Sequence, residues 1–80
     1  MSEWYVYIIQ CSDGSLYTGI SNDITARIKK HNSGKGAKYT RNKIPVILRA
    51  QWQFNNKSEA SKREYAIKKL SRKEKLGLLE

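Results

Sequence analysis

Eighty residues with a formal net charge of +9 are enough for one domain and one modest core, in which about 60% of the unfolded chain's surface is buried. No apolar run is long enough to cross a bilayer, and the N-terminus is not of the secretory kind, so a soluble cytoplasmic protein with no membrane partner is expected. A single cysteine, Cys11, excludes an internal disulfide, and a single histidine, His31, excludes a Cys/His zinc cluster within one chain.

Trp4 to Gln10 is aromatic and β-branched, Ser12-Asp13-Gly14-Ser15 supplies turn chemistry, and Leu16 to Ile20 resumes an extended pattern. Together they predict a β-hairpin, and the loop length decides which side chains share a face. A two-residue Asp13-Gly14 loop separates Tyr7 from Tyr17. A three-residue Ser12-Asp13-Gly14 loop, with Gly14 in the left-handed position, pairs Tyr7 with Gly19 and Ile9 with Tyr17, so both tyrosines share a face. Trp4, Val6, Ile8, Leu16, Thr18 and Ile20 then make a good core surface on the other side. The three-residue loop is therefore predicted.

Asn22 or Asp23 caps a first helix, Ile24 and Ile28 form its apolar pair, and Asn32-Ser33-Gly34 ends it. Arg27 and His31, four apart, border that stripe and lean toward the sheet edge. Gly34 to Ile44 is a basic loop closed by Pro45. The whole interval from Ile24 to Ser58 holds nine basic residues and no acid, whereas the rest of the chain carries seven of each. Such clustering is the footprint of a polyanion, because each neutralised phosphate releases condensed counterions. Lys35, Lys38, Arg41 and Lys43 are the expected grips on a DNA backbone. Tyr39 either stacks on a base or anchors its own loop. Gly34-Lys35-Gly36 lacks the glycine-lysine-serine pattern after a strand that a nucleotide-binding loop needs.

Val46, Leu48, Ala50, Trp52 and Phe54 alternate with Ile47, Arg49, Gln51 and Gln53, the period of a half-buried third strand. Ser58 is a plausible cap for a second helix with Ala60, Ile67 and Leu70 along one face. Glu64 falls inside that stripe, where a charge needs a partner. Ser71 to Glu74 matches a capping box opening a short third helix. The expected fold is α+β, a three-stranded antiparallel sheet flanked by three helices in the order β-β-α-β-α-α, with residues 1–80 as one domain.

Tyr7, Tyr17, Arg27, His31 and Glu64 thus point toward one region. Each alone has an ordinary structural explanation as a core tyrosine, a structural histidine or a paired carboxylate. As an ordered set, with Tyr5-Val6-Tyr7 and Tyr17-Thr18-Gly19 ten residues apart, the chain resembles the GIY-YIG nuclease superfamily over its whole length. The likeness is greatest to small stand-alone members related to the N-terminal nuclease domain of the repair excinuclease, whose pattern the stretches Gly34 to Arg41 and Arg63 to Ser71 also resemble. Tyr5 stands where the family name has glycine, Thr18 where it has isoleucine, and no asparagine follows Glu64, where many members carry one.

The resemblance implies a metal-dependent endonuclease cutting phosphodiester bonds in DNA, with RNA not excluded, directed by structure or damage, as in DNA repair. Glu64 would bind one Mg²⁺ or Mn²⁺, and Arg27 would clamp a phosphate oxygen. Tyr7 would take a proton from the attacking water once Arg27 and the metal lower its pKa from about 10. Tyr17 would position the nucleophile or contact phosphate, His31 would assist in orientation or proton movement, and Gly19 would leave room for the substrate backbone. Two other readings share the basic segment or the aromatics: a nucleic-acid-binding module of the same fold without turnover, and a protein-interaction adaptor. Oligomeric state is left open.

Overall fold

The computed structural model describes residues 3–79. Its elements are β1 (Trp4–Gln10), β2 (Leu16–Ser21), α1 (Ile24–Asn32), β3 (Ile47–Phe54), α2 (Lys57–Lys68) and α3 (Arg72–Gly77), with one 3₁₀ turn at Lys38–Thr40. The strands form one antiparallel sheet in the order β2-β1-β3, giving the expected α+β fold. Among the described residues no helix is long and apolar enough to cross a membrane.

The hairpin sets everything downstream. Cys11 N–H donates to the Ser15 carbonyl at 2.8 Å and Gly14 N–H to the Cys11 carbonyl at 2.9 Å, which leaves Ser12, Asp13 and Gly14 as the loop. Gly14 sits at φ 87°, where any Cβ would be strained. Tyr7 consequently faces Gly19 and Ile9 faces Tyr17, as the three-residue loop requires.

Apolar side chains cover both faces of the sheet. On one, Val6 and Ile8 are buried with Ala60 and Ile67 of α2, bordered by Trp4, Leu16, Ile20, Trp52 and Phe54 and by Leu78 and Leu79. On the other, Tyr7, Ile9, Cys11 and Val46 are buried beneath Ile24 and Ile28 of α1. Each large apolar side chain so enclosed contributes about 1.5–3 kcal/mol of transfer free energy.

The third strand departs from simple alternation. Phe54, Trp52 and Ala50 share a face as the alternation requires and stand opposite Trp4, Val6 and Ile8, but Ile9 faces Leu48, so Arg49 is an extra residue in the strand. This bulge turns Leu48 away from the Trp52 face to the tyrosine face. Val46 follows it into the tyrosine-side core. The chain arrives there on Asn32, whose side chain accepts from Val46 N–H at 2.6 Å and donates to the Val46 carbonyl at 3.2 Å.

Capping places the helices. Asp23 accepts from Ala26 N–H at 3.1 Å and starts α1. At the other end Gly34, at φ 80°, lets Lys35 N–H return to the Lys30 carbonyl at 3.2 Å and Gly34 N–H to the His31 carbonyl at 3.1 Å. The cap of α2 is Asn56, whose side chain accepts from Glu59 N–H at 2.9 Å; Ser58 lies inside the first turn instead. Ser71 and Glu74 make both bonds of the capping box at α3.

Candidate active site

Helix α1 crosses the tyrosine face of the sheet, and its i, i+4 pair Arg27 and His31 meets Tyr7 there. Tyr7 Oη lies 2.9 Å from His31 Nε2, and Arg27 Nε–H donates to Tyr7 Oη at 3.4 Å. Tyr17 packs edge-on against the His31 ring, centroids 5.6 Å apart at 64°. Tyr7 and His31 are fully buried, and Arg27 is half-buried at the rim. Four of the five residues singled out in the sequence are thus in contact.

Gly19 has a different task from the one expected. A Cβ there would lie 2.5 Å from Tyr7 Oη, so the space beside the glycine is filled by the phenol and not left for a substrate backbone. Two further residues complete the site without having been singled out for it. Thr40 Oγ1 lies 2.8 Å from His31 Nδ1 and 3.0 Å from the Ala37 carbonyl oxygen. Gly36 packs so closely over the ring that a Cβ would stand 2.4 Å from Nδ1. The usable signal was arithmetic: a buried imidazole has two nitrogens to satisfy, and Tyr7 answers for one.

Burial dominates the electrostatics. It pushes the Tyr7 phenol above its ordinary pKa of 10.0, and the Arg27 hydrogen bond and charge, which act the other way, do not overcome it. Arg27 thus acts on Tyr7 in the expected direction, but alone it does not offset burial. For His31, burial first and then the Arg27 charge push the pKa below 6.5. Both groups are neutral near pH 7, the tyrosine as phenol and the histidine as free base.

Glu64 comes from α2, on the opposite face of the sheet, and its charge is among the influences on Tyr7. Its carboxylate lies 3.2 Å from Lys68 Nζ, and Lys68 in turn lies 5.8 Å from the Tyr17 ring centroid. One turn of α2 thus reaches past the edge strand β2 toward the tyrosines. Among the described residues no three His, Cys, Asp or Glu side chains cluster. A single carboxylate fits a hard cation that takes its remaining ligands from water and phosphate, as Mg²⁺ does, and does not fit a cation needing a full protein cage.

The basic loop divides into two kinds of residue. Lys35, Lys38 and Arg41 are exposed, and none has an ion-pair partner among the described residues. Lys43 is tied to Asp13 at 3.6 Å and sits 3.7 Å from the Tyr39 ring centroid, while Tyr39 stacks on Tyr17 at 5.8 Å and 23°. Lys43 and Tyr39 therefore anchor the loop onto the hairpin. In their place the fold contributes Arg72 and Lys75, which line a groove of about 230 Å³ with Tyr39, Ser15 and Leu16. Charge counting along the chain missed them because acidic residues are interspersed with the basic ones after Glu59, so this segment does not stand out as the acid-free interval does.

The fold thus gathers a Tyr-His-Arg cluster on a β-hairpin and its following helix, with a carboxylate approaching from a later helix. Residues 3–76 match the GIY-YIG catalytic domain, and the chain belongs to that family. It is similar to the UPF0213 protein of Staphylococcus haemolyticus, 54% identical over 80 residues and covering 100% of this chain and 98% of that protein. A UPF0213 protein of Staphylococcus saprophyticus is 57% identical over 79 residues, covering 99% and 96%. The solution NMR structure of a UPF0213 protein from Bacillus halodurans matches with a TM-score of 0.63 at 55% identity, over 96% of this chain and 82% of that one. That of a protein from E. faecalis matches at 0.62 and 40% identity, over 98% and 88%. GIY-YIG domains act on nucleic acid and generally use divalent metal ions.

Proposed function

We propose that this chain is a metal-dependent endonuclease that hydrolyses phosphodiester bonds in DNA. The observation that carries the reading is the buried Tyr7-His31 hydrogen bond with Arg27 at its rim. A phenol with a raised pKa is a poor base alone, but it need not stand as phenolate. As the attacking water passes a proton to Tyr7 Oη, Tyr7 passes its own to the neutral Nε2 of His31. The water oxygen bonds to phosphorus as the bond to the leaving oxygen breaks; that oxygen takes a proton from solvent, and the proton taken from the attacking water ends on His31.

Tyr7 is closed to solvent, so substrate reaches its oxygen only when a covering group moves. Arg27 is half-buried, charged and held by a long hydrogen bond. Its transfer from the phenol to a non-bridging phosphate oxygen both uncovers Tyr7 and stabilises the charge that builds on phosphorus. That transfer also takes a positive charge away from the imidazolium as it forms. Tyr17, packed on the ring, keeps His31 in place and positions the nucleophile. Glu64 would hold the Mg²⁺ or Mn²⁺ ion, which supplies Lewis-acid stabilisation of the phosphate and leaving oxygens. Lys68 must first release the carboxylate.

Lys35, Lys38 and Arg41 hold the nucleic-acid backbone, with Arg72 and Lys75 extending the track beyond Tyr39. Backbone contacts position a substrate and carry no base readout, so recognition is by structure or damage. A cytoplasmic role in DNA repair suits such chemistry. The Lys68-Glu64 pair and the closed Tyr7 favour one other reading, a nucleic-acid-binding module of the same fold that does not turn over.

Supercoiled plasmid and branched duplexes, incubated with and without Mg²⁺ or Mn²⁺, separate the two. Metal-dependent cleavage by the wild type, lost in Glu64→Ala with binding unchanged within about twofold, is the expected result. Binding without metal-dependent cleavage on every substrate would establish the second reading.

A further inference from the structure

Thr40 is fully buried although its neighbours Tyr39 and Arg41 are exposed. Its one hydroxyl proton has two neighbours, the Ala37 carbonyl oxygen at 3.0 Å and His31 Nδ1 at 2.8 Å. A carbonyl oxygen only accepts, so both contacts are satisfied when Thr40 donates to Ala37 and accepts from a proton on Nδ1. A neutral imidazole carries one ring proton. With that proton on Nδ1, Nε2 is bare, and Tyr7 must donate to it across 2.9 Å while accepting from Arg27 Nε at 3.4 Å. Donation then runs one way, from Arg27 to Tyr7, His31, Thr40 and finally Ala37, and each of these buried protons has an acceptor.

The opposite arrangement does not close. If Thr40 donated into Nδ1, the ring proton would face Tyr7 from Nε2. The phenol oxygen would then accept from both His31 and Arg27, while its own proton found no recipient among these partners. A buried donor left so costs about 1–3 kcal/mol.

We propose that Thr40 is a positioning residue that fixes His31 in the Nδ1–H tautomer, and thereby aims the Tyr7 proton at Nε2. The catalytic half of this inference rests on the nuclease reading; the tautomer rests on the hydrogen bonds alone. The loop that carries Thr40 is also the one that presents Lys35, Lys38 and Arg41. Gly36, whose Cβ would lie 2.8 Å from His31 Cα, allows that loop to close down on the ring. One segment therefore grips the substrate backbone and sets the direction of the proton relay.

The test reads the His31 ring nitrogens by ¹⁵N NMR in the nucleic-acid-free protein at a pH where the ring is neutral. Wild type is expected to show a protonated Nδ1 and a bare Nε2. Thr40→Val, close in shape but without the acceptor, is expected to lose that single tautomer and to cut about 10- to 100-fold more slowly in single turnover. DNA binding should stay within about twofold, and Thr40→Ser should restore both tautomer and rate. A proton on Nε2 in the wild type would overturn the proposal without any variant being made, so a Thr40→Val chain that failed to fold would not shelter it. Retention of tautomer and rate by a folded Thr40→Val would overturn it equally. Because the nitrogens are read without substrate, a wild type that cut nothing would count against the nuclease reading alone.

Discussion

At Gly19 a single hydrogen atom separates a packed site from a collision. A methyl group there would meet Tyr7 Oη at 2.5 Å and its Cζ at 2.7 Å, and Tyr7, fully buried, has nowhere to retreat. Gly19→Ala is expected to lower unfolding stability by about 1–3 kcal/mol, read by urea denaturation, and to reduce cleavage together with it. The ionisation of His31 gives a second residue-level expectation. Burial and the Arg27 charge hold its pKa below the ordinary 6.5, so the unfolded chain takes up a proton there before the folded chain does. Stability from this group is therefore complete above a pH of about 6.5 and is lost as pH falls through the folded value. The relay needs the same neutral ring, which places the acid limb of the cleavage rate below the usual histidine range. A pH-rate profile whose acid limb lay above that range would contradict it. The meeting of Tyr7, Tyr17, Arg27 and His31 was legible in the sequence because an ordered motif and helical spacing carry them. Thr40 was not, since a partner supplied by an irregular loop leaves no periodicity to read.

The secondary-structure elements show where local rules suffice. The hairpin was legible down to its register, because a glycine in a turn of countable length and the side-chain period of two leave one arrangement that buries Val6, Ile8 and Ile20 together. The bulge at Arg49 was not, because the alternating pattern of Val46 to Phe54 is satisfied equally well without it; the choice is made by Val46 docking beside Ile9 on the tyrosine side. Asn56 and Ser58 are both chemically able to cap α2, and only the backbone shows which one stands outside the first turn. Replacing Asn56 with alanine is accordingly expected to destabilise the protein by about 1 kcal/mol. Ser58→Ala should change stability by less than about 0.5 kcal/mol, and thermal melts of the two variants compare them directly.

For the whole molecule, the charge that the sequence concentrates in one segment is redistributed by folding. Lys43 is consumed in anchoring, while Arg72 and Lys75, from outside the acid-free segment, come to the groove beside Tyr39. A nucleic-acid partner was legible from charge, but the proposed track was not, because it joins residues far apart in the chain. Binding to duplex DNA should weaken steeply with salt. Removing Lys35, Lys38 and Arg41 together should flatten the slope of log K against log salt by about 2.7, if each meets one phosphate. A slope that did not change would move the binding surface elsewhere. The cutting centre beside that track is the central claim, and Tyr7→Phe tests it most directly because it deletes only the hydroxyl that joins Arg27 to His31. Single-turnover cleavage in Mg²⁺ is expected to fall by about 100-fold or more with DNA affinity unchanged; a Tyr7→Phe protein that cuts at the wild-type rate would contradict the account.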